Sequence, residues 1–230
     1  MTIMAPATVK ANTSERLNRA LDSLCLSAQP IQRAALLEYL LQLLRWNKTY
    51  NLTAIRDPDQ ALVQHIFDSL SLVTPITRVL ALHPSEAPTV VDVGSGGGLP
   101  GVILAIMLPQ VRVTCVDAVE KKTMFVRQMA GVLALPNLSA QHARIEAIKP
   151  LQCSIVTSRA FASLQDFAQL AGPHVREGGY LVAMKGREPT EELLALQAHT
   201  NWSAQAIEPL TVPEFEGQRC LVWMQRKGNT

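Results

Sequence analysis

The sequence predicts an α/β protein: a doubly wound, mostly parallel seven-stranded sheet with an N-terminal helical extension. Three observations predict it. From Thr89 onward, short apolar runs alternate with helix-length amphipathic ones, and strands separated in this way pair in parallel. The first run, Thr89-Val90-Val91-Asp92-Val93, passes directly into Gly94-Ser95-Gly96-Gly97-Gly98-Leu99-Pro100-Gly101. Strand, glycine turn and helix in that order bring backbone N–H groups and a helix N-terminus up to a ligand. The last two runs follow each other with no helix between them, so they close the sheet as an antiparallel pair.

Taken in order, residues 1–15 are small and polar and are expected to fray. Residues 16–88 form the helical extension and residues 89–230 the main domain. Leu17, Leu21 and Leu24 open a helical spacing, and from Ile31 to Trp46 apolar residues recur three and four apart, the period of an amphipathic helix. Trp46-Asn47-Lys48-Thr49-Tyr50-Asn51-Leu52-Thr53 is too polar for a strand. Asp57-Pro58-Asp59 signals the start of a helix over Ala61 to Leu72, which carries His65 and Asp68. Spacing alone favours a capping or core hydrogen bond for those two residues. Aromatics interleaved with Arg45, Lys48 and Arg56 also suit base stacking and phosphate contacts. Residues 83–88 form a proline-bounded linker.

In the main domain the second strand is Val111 to Asp117 and the second helix Glu120 to Leu133. Strands follow at Leu138 to Gln141 and Cys153 to Ser158, then a helix at Leu164 to Ala171. Gly179 to Lys185 is the fifth strand, Thr190 to His199 a helix, and Ala204 to Val212 and Cys220 to Met224 the closing pair.

The totals bound the function. A chain of 230 residues with 48% hydrophobic and 17% charged residues buries a substantial core. A net charge of +2 gives little global attraction to nucleic acid, so any RNA binding must come from a local patch. Four cysteines without C-x-x-C spacing argue against zinc and against a disulfide framework; no metal is expected. The longest apolar run, Val102 to Leu108, falls well short of the roughly 20 residues of a membrane span. Residues Met1 to Ala11 lack the pattern of a signal peptide. A cytoplasmic protein is the expectation, and with no long apolar seam or heptad, a monomer.

The chemistry is read at the carboxyl ends of the strands, where doubly wound sheets bind ligands. The dinucleotide fingerprint begun at Gly94 would need glycine at 99 and finds Leu99. A match from Gly96 to Gly101 starts two residues too late. An acid two residues before the first glycine, Asp92-x-Gly94-x-Gly96-x-Gly98, is instead the pattern of class I S-adenosylmethionine-dependent methyltransferases. Asp117 lies 19 residues past Gly98, where a ribose-binding carboxylate belongs; its other reading is an N-cap for the next helix. Beyond strand three, His142-Ala143-Arg144-Ile145-Glu146 occupies the adenine position. Strand four ends in Ser158-Arg159-Ala160-Phe161-Ala162, with neither Asn/Asp-Pro-Pro nor a nucleophilic cysteine. A site without base or nucleophile fits an acceptor that already offers a lone pair, such as guanine N7. That chemistry needs alignment and desolvation more than proton removal.

Three blocks together resemble the bacterial ribosomal RNA small-subunit methyltransferase G family, also known as the glucose-inhibited division protein B family. They are Trp46 to Thr53 with His65-Ile66-Phe67-Asp68-Ser69, the loop Asp92 to Gly101, and Ser158 to Ala162; Lys185-Gly186 also fits. The resemblance covers residues 17 to 225. It implies N7 methylation of one guanine in the decoding-region loop of 16S ribosomal RNA, with S-adenosylmethionine as donor. Carried over by motif position, Gly94 and Leu99 line the cofactor site, Ile145 and Glu146 flank the adenine, and Arg159 contacts the cofactor or the nearby substrate. The cofactor-binding set is then Asp92, Gly94, Gly96, Gly98, Leu99, Asp117, Ile145, Glu146 and Arg159. Arg159 is the catalytic candidate, and no general base is expected. Lys48, Arg56, Lys121, Lys122, Arg127, Arg144, Lys185 and Arg187 are the candidates for a basic rim that binds RNA. Gly97 stands where relatives often have proline. A nucleotide-dependent oxidoreductase on the same fold and a non-catalytic S-adenosylmethionine-binding RNA module are the alternatives.

Overall fold

The computed structural model describes residues 11–82, 87–159 and 161–228. Its centre is a seven-stranded sheet in the order β3-β2-β1-β4-β5-β7-β6. The strands are β1 (Thr89–Val93), β2 (Arg112–Asp117), β3 (Leu138–His142), β4 (Cys153–Ser158), β5 (Val175–Lys185), β6 (Trp202–Pro209) and β7 (Cys220–Arg226). β1 to β5 pair in parallel, and β7 lies antiparallel between β5 and β6. Burial explains why the last strand takes the inner place. Cys220 to Met224 is buried throughout, whereas most of β6 is exposed or half-buried. The strand order reverses between β1 and β4, which sets the binding crevice at their carboxyl ends.

The helices are α1 (Ala11–Ser23), α2 (Pro30–Tyr50), α3 (Pro58–Ala61), α4 (Asp68–Leu70), α5 (Val73–Leu82), α6 (Gly101–Met107), α7 (Glu120–Val132), α8 (Leu164–Ala171) and α9 (Thr190–His199). Residues 11–15, expected to fray, are helical; the same expectation for residues 1–10 lies outside the described residues, as do residues 83–86 of the linker. α2 continues past Trp46 because Asn47 turns inward. Its Nδ2 donates to Ile55 O at 2.9 Å and its Oδ1 accepts from Thr53 N at 2.9 Å. Asn51 then ends the helix at φ 49°, the left-handed region in which asparagine is tolerated. The polar block thus folds a helix end instead of forming an open loop. Asp57 caps α3 by accepting from Gln60 N, and a π-helical stretch, Leu62–Phe67, joins α3 to α4.

The extension shares one core with the sheet. Leu36, Leu40, Leu43, Leu62 and Phe67 pack in one cluster with Val90, Leu104, Phe125, Val126 and Leu221. On the other face, α8 and α9 cover Val156, Leu181, Val222 and Met224 with Leu164, Phe167 and Leu196. At roughly 1.5–3 kcal/mol for each large apolar side chain buried, neither face is dispensable.

Candidate cofactor and acceptor site

β1 carries Asp92 under the glycine turn, with 0% of its surface exposed. Its Oδ2 accepts from Gly101 N at 2.8 Å, tying the strand to the first turn of α6. Its Oδ1 has no partner among the described residues. Burial pushes this carboxyl up to about 7, with the Gly101 N–H and then the Arg159 cation working against the shift. Gly94, Gly96 and Gly98 have φ of 66°, 58° and 93°, values that a side chain strains. At Gly98 space is closed as well: a Cβ there would stand 2.4 Å from Val102 Cγ2 and 2.9 Å from Val126 Cγ2.

The turn does not hold out a row of bare donors, as the sequence led one to expect. Gly94 and Ser95 donate to Val116 O, and Gly98 and Leu99 donate to Ser95 O. Gly96 N donates to Asp117 Oδ2 at 2.8 Å. The turn is largely closed on itself and on β2. Leu99, carried over as a cofactor-lining residue, is buried and packs with the core cluster, as burial of an apolar side chain favours. Tyr39 of α2 braces the turn from behind, its hydroxyl donating to Gly97 O at 2.7 Å.

Asp117 meets its capping reading only in part, because the N-cap position of α7 is Val119 and Asp117 bonds that residue's N–H. Oδ1 accepts from Val119 N at 2.8 Å at the start of α7, while Oδ2 holds Gly96. Each carboxylate oxygen has a second lone pair, so the residue can still accept from hydroxyls. Beside it lies a cleft of about 250 Å³, walled by Gly94, Val116 and Asp117, by Ile145 and Glu146, and by Phe161 and Leu170. Phe161 and Leu170 had no assigned role. Phe161 stood within a quoted block, but only the packing of α8 against the turn at Ile145–Ala147 brings Leu170 to the cleft. A hollow of about 490 Å³ at residues 176–179 and 225–228 is larger, but it lies at the opposite end of the sheet from these carboxylates.

On the β4 side, Ser158 Oγ donates to Val93 O at 2.7 Å. Arg159 Nη1 donates to Gln64 O and to Asp68 Oδ2, each at 3.0 Å. The other oxygen of Asp68 accepts from Arg219 Nε at 2.9 Å. No sequence signal marked Arg219, a lone cation just ahead of β7. His65 is a core group, as its spacing favoured: Nε2 lies 2.9 Å from Thr53 Oγ1. Burial, reinforced by the nearby Arg159 cation, pushes its pKa down to about 4. It is therefore neutral.

The eight rim candidates do not form one set. Lys48, Lys121 and Arg187 are exposed; Arg56, also exposed, donates to Asn51 Oδ1. Arg144 projects beside the cleft, 3.8 Å from Glu146. Arg127 donates to Ala140 O of edge strand β3, and Lys122 leans to 4.0 Å from Asp117. Lys185 is drawn inward: Nζ donates to Glu192 Oε2 at 2.7 Å, an oxygen that also accepts from Leu164 N. Among the described residues no cluster could hold a metal, and no helix is long and apolar enough to cross a membrane.

A family model described as rRNA small subunit methyltransferase G matches residues 32–222. A relative from Bordetella pertussis, named ribosomal RNA small subunit methyltransferase G, is 61% identical over 96% of this chain and 97% of its own length. A relative of the same name from Leptothrix cholodnii is 49% identical over 84% of this chain and 87% of its own length. Among solved structures, a SAM-dependent methyltransferase from Aquifex aeolicus superposes with a TM-score of 0.51 at 16% identity, covering 68% of this chain and 92% of that one. That likeness concerns the fold.

Proposed function

We propose a specific reaction for this chain, which belongs to the rRNA small subunit methyltransferase G family: methylation of N7 of one guanine in the decoding-region loop of 16S ribosomal RNA. As a member of that family it is an S-adenosylmethionine-dependent enzyme with ribosomal RNA as substrate, and the oxidoreductase alternative falls away.

The residues at the cleft fit the cofactor. Asp117 retains lone pairs for ribose hydroxyls, and Val116, Ile145, Phe161 and Leu170 offer apolar surface for an adenine. Asp92 braces the glycine turn from within, and Glu146 lines the cleft. When bound, S-adenosylmethionine supplies a sulfonium methyl, whose S–C bond breaks as the guanine N7 lone pair forms the new N–C bond, the electron pair leaving with sulfur. Arg159 orients the acceptor. The observation that carries the N7 assignment is the β4 end itself. Among its described residues, Ser158 already donates to Val93 O, Arg159 is held by Asp68, and Phe161 and Ala162 carry no titratable group, so none of them acts as a general base. Exposed Lys48, Arg56, Lys121, Arg144 and Arg187 supply the phosphate contacts. The enzyme acts as a cytoplasmic monomer on the small ribosomal subunit, with residues 16–88 as its helical extension and residues 89–230 as its cofactor-binding domain.

The test gives purified protein radiolabelled S-adenosylmethionine and small subunits lacking the modification, then maps the label. Label on N7 of a single guanine in 16S RNA is expected. Label on any other atom or base removes the N7 assignment.

A further inference from the structure

The block His65-Ile66-Phe67-Asp68-Ser69 lies in none of the roles above, yet it holds the most connected carboxylate near the acceptor side. Asp68 is 2% exposed. Its two oxygens take two guanidiniums, Oδ2 from Arg159 Nη1 at 3.0 Å and Oδ1 from Arg219 Nε at 2.9 Å. The partners come from segments 91 and 151 residues away, so the pairing exists only in the fold. Each arginine side chain remains about a quarter exposed, 27% and 25%.

Position gives the pairing its meaning. Arg159 follows β4, and Arg219 precedes Cys220, which registers with Lys185 at the carboxyl end of β5. Both cations therefore sit at the carboxyl ends of neighbouring strands, next to the point where the strand order reverses. Arg159 also donates to Gln64 O, a carbonyl within the π-helical stretch Leu62–Phe67, and π turns recur at functional sites. Arg219 is set further by its guanidinium, which lies 4.3 Å over the Phe215 ring.

Without its carboxylate, Arg159 has another one within electrostatic reach. Asp92 is fully buried, its Oδ1 has no partner among the described residues, and it registers with Thr157 of β4, two residues before Arg159. A guanidinium drawn toward Asp92 would leave the acceptor side for the floor of the glycine turn. Methylation of N7 places a positive charge on the base. A cation held by a carboxylate opposes that charge less than one left free to approach the ring.

We propose that Asp68 is a positioning residue for methyl transfer: its carboxylate braces Arg159 and Arg219 as a fixed pair on the acceptor side and keeps Arg159 away from Asp92. This rests on the function proposed above.

The test is Asp68→Asn in the full chain, which keeps shape and removes charge. It is assayed on unmodified small subunits, with cofactor affinity read by calorimetry. The expected result is a fall in kcat of about thirtyfold or more, with KM for the subunits and Kd for S-adenosylmethionine within about threefold of wild type. Adding Arg219→Gln should cost no more than about threefold beyond Asp68→Asn alone, because both act through one brace. A kcat within threefold of wild type overturns the proposal. So does a loss carried by KM, or a loss matched by collapse of cofactor affinity. If Asp68→Asn does not fold, Arg219→Gln alone decides, since Asp68 keeps its Arg159 partner there; an unchanged kcat overturns the brace. A wild-type enzyme that labels no 16S guanine points instead to failure of the functional reading.

Discussion

Asp92→Asn should change how stability depends on pH, and the sign can be worked out. The carboxyl of Asp92 is raised from 3.8 to about 7 by burial. Between those values the folded chain holds a proton that the unfolded chain has released. Its contribution to stability is therefore full below pH 3.8 and is lost as pH rises through 7. At 1.36 kcal/mol per pH unit the whole effect is roughly 4 kcal/mol. His65 works the other way. Its pKa is lowered from 6.5 to about 4, so the unfolded chain binds the extra proton in that window and stability falls with acid, by roughly 3 kcal/mol in all. Between pH 4 and 6.5 the two nearly cancel in the wild type. Asparagine removes the Asp92 half and leaves that of His65. Urea denaturation from pH 4 to 7.5 should therefore show wild type gaining on Asp92→Asn by roughly 4 kcal/mol as pH falls. The difference between the two proteins isolates the group, since other titrations are common to both. A difference that stays constant across the range would mean that Asp92 ionises near its ordinary pH and that the account of its burial is wrong.

Three further outcomes follow from the geometry. Arg159→Ala should nearly abolish turnover on small subunits while cofactor binding by calorimetry persists; near-normal turnover would place the acceptor elsewhere. Lys121→Glu should weaken RNA binding in a filter assay and spare the cofactor, whereas Lys122→Glu, set 4.0 Å from Asp117, should weaken the cofactor too. Gly98→Ala puts a Cβ against Val102 and Val126 at φ 93°, so a loss of about 2–4 kcal/mol in denaturant midpoint stability is expected from strain and overpacking together.

What was legible in the sequence was local. β4, α8 and α9 fall where the pattern set them, with Ser163 capping α8 by accepting from Asp166 N. The spacing from Gly98 to Asp117 located a carboxylate that does reach the glycine turn. What escaped depends on partners far along the chain. β5 starts at Val175, ahead of Gly179, because Gly178 at φ 69° lets the strand continue through a shifted register. Lys185 reads as a surface cation until α9 brings Glu192 to 2.7 Å. Arg219 has no local signal at all: its role exists only once β7 slots beside β5 and the π turn delivers Asp68.

The same long-range contacts decide how the N-terminal extension should be understood. The sequence read its long helix as amphipathic, with aromatics and cations at its end that also suit RNA contacts. Yet three of its partly or fully buried polar contacts end on parts of the main domain. Gln32 Nε2 donates to Ile106 O at the end of α6, Tyr39 donates to Gly97 O in the glycine turn, and Asp68 accepts from Arg159. Trp46 packs at a tilt against Phe125 of α7 with ring centres 5.4 Å apart, and Tyr50 against Trp46 at 4.8 Å. Buried donors and acceptors that lose such partners cost about 1–3 kcal/mol each, so the extension cannot lift away without disturbing the turn and the acceptor-side arginine. It is a wall of the site. An RNA that engages the outer end of α2, at Lys48 and Tyr50, would press on a helix whose inner face already holds the glycine turn.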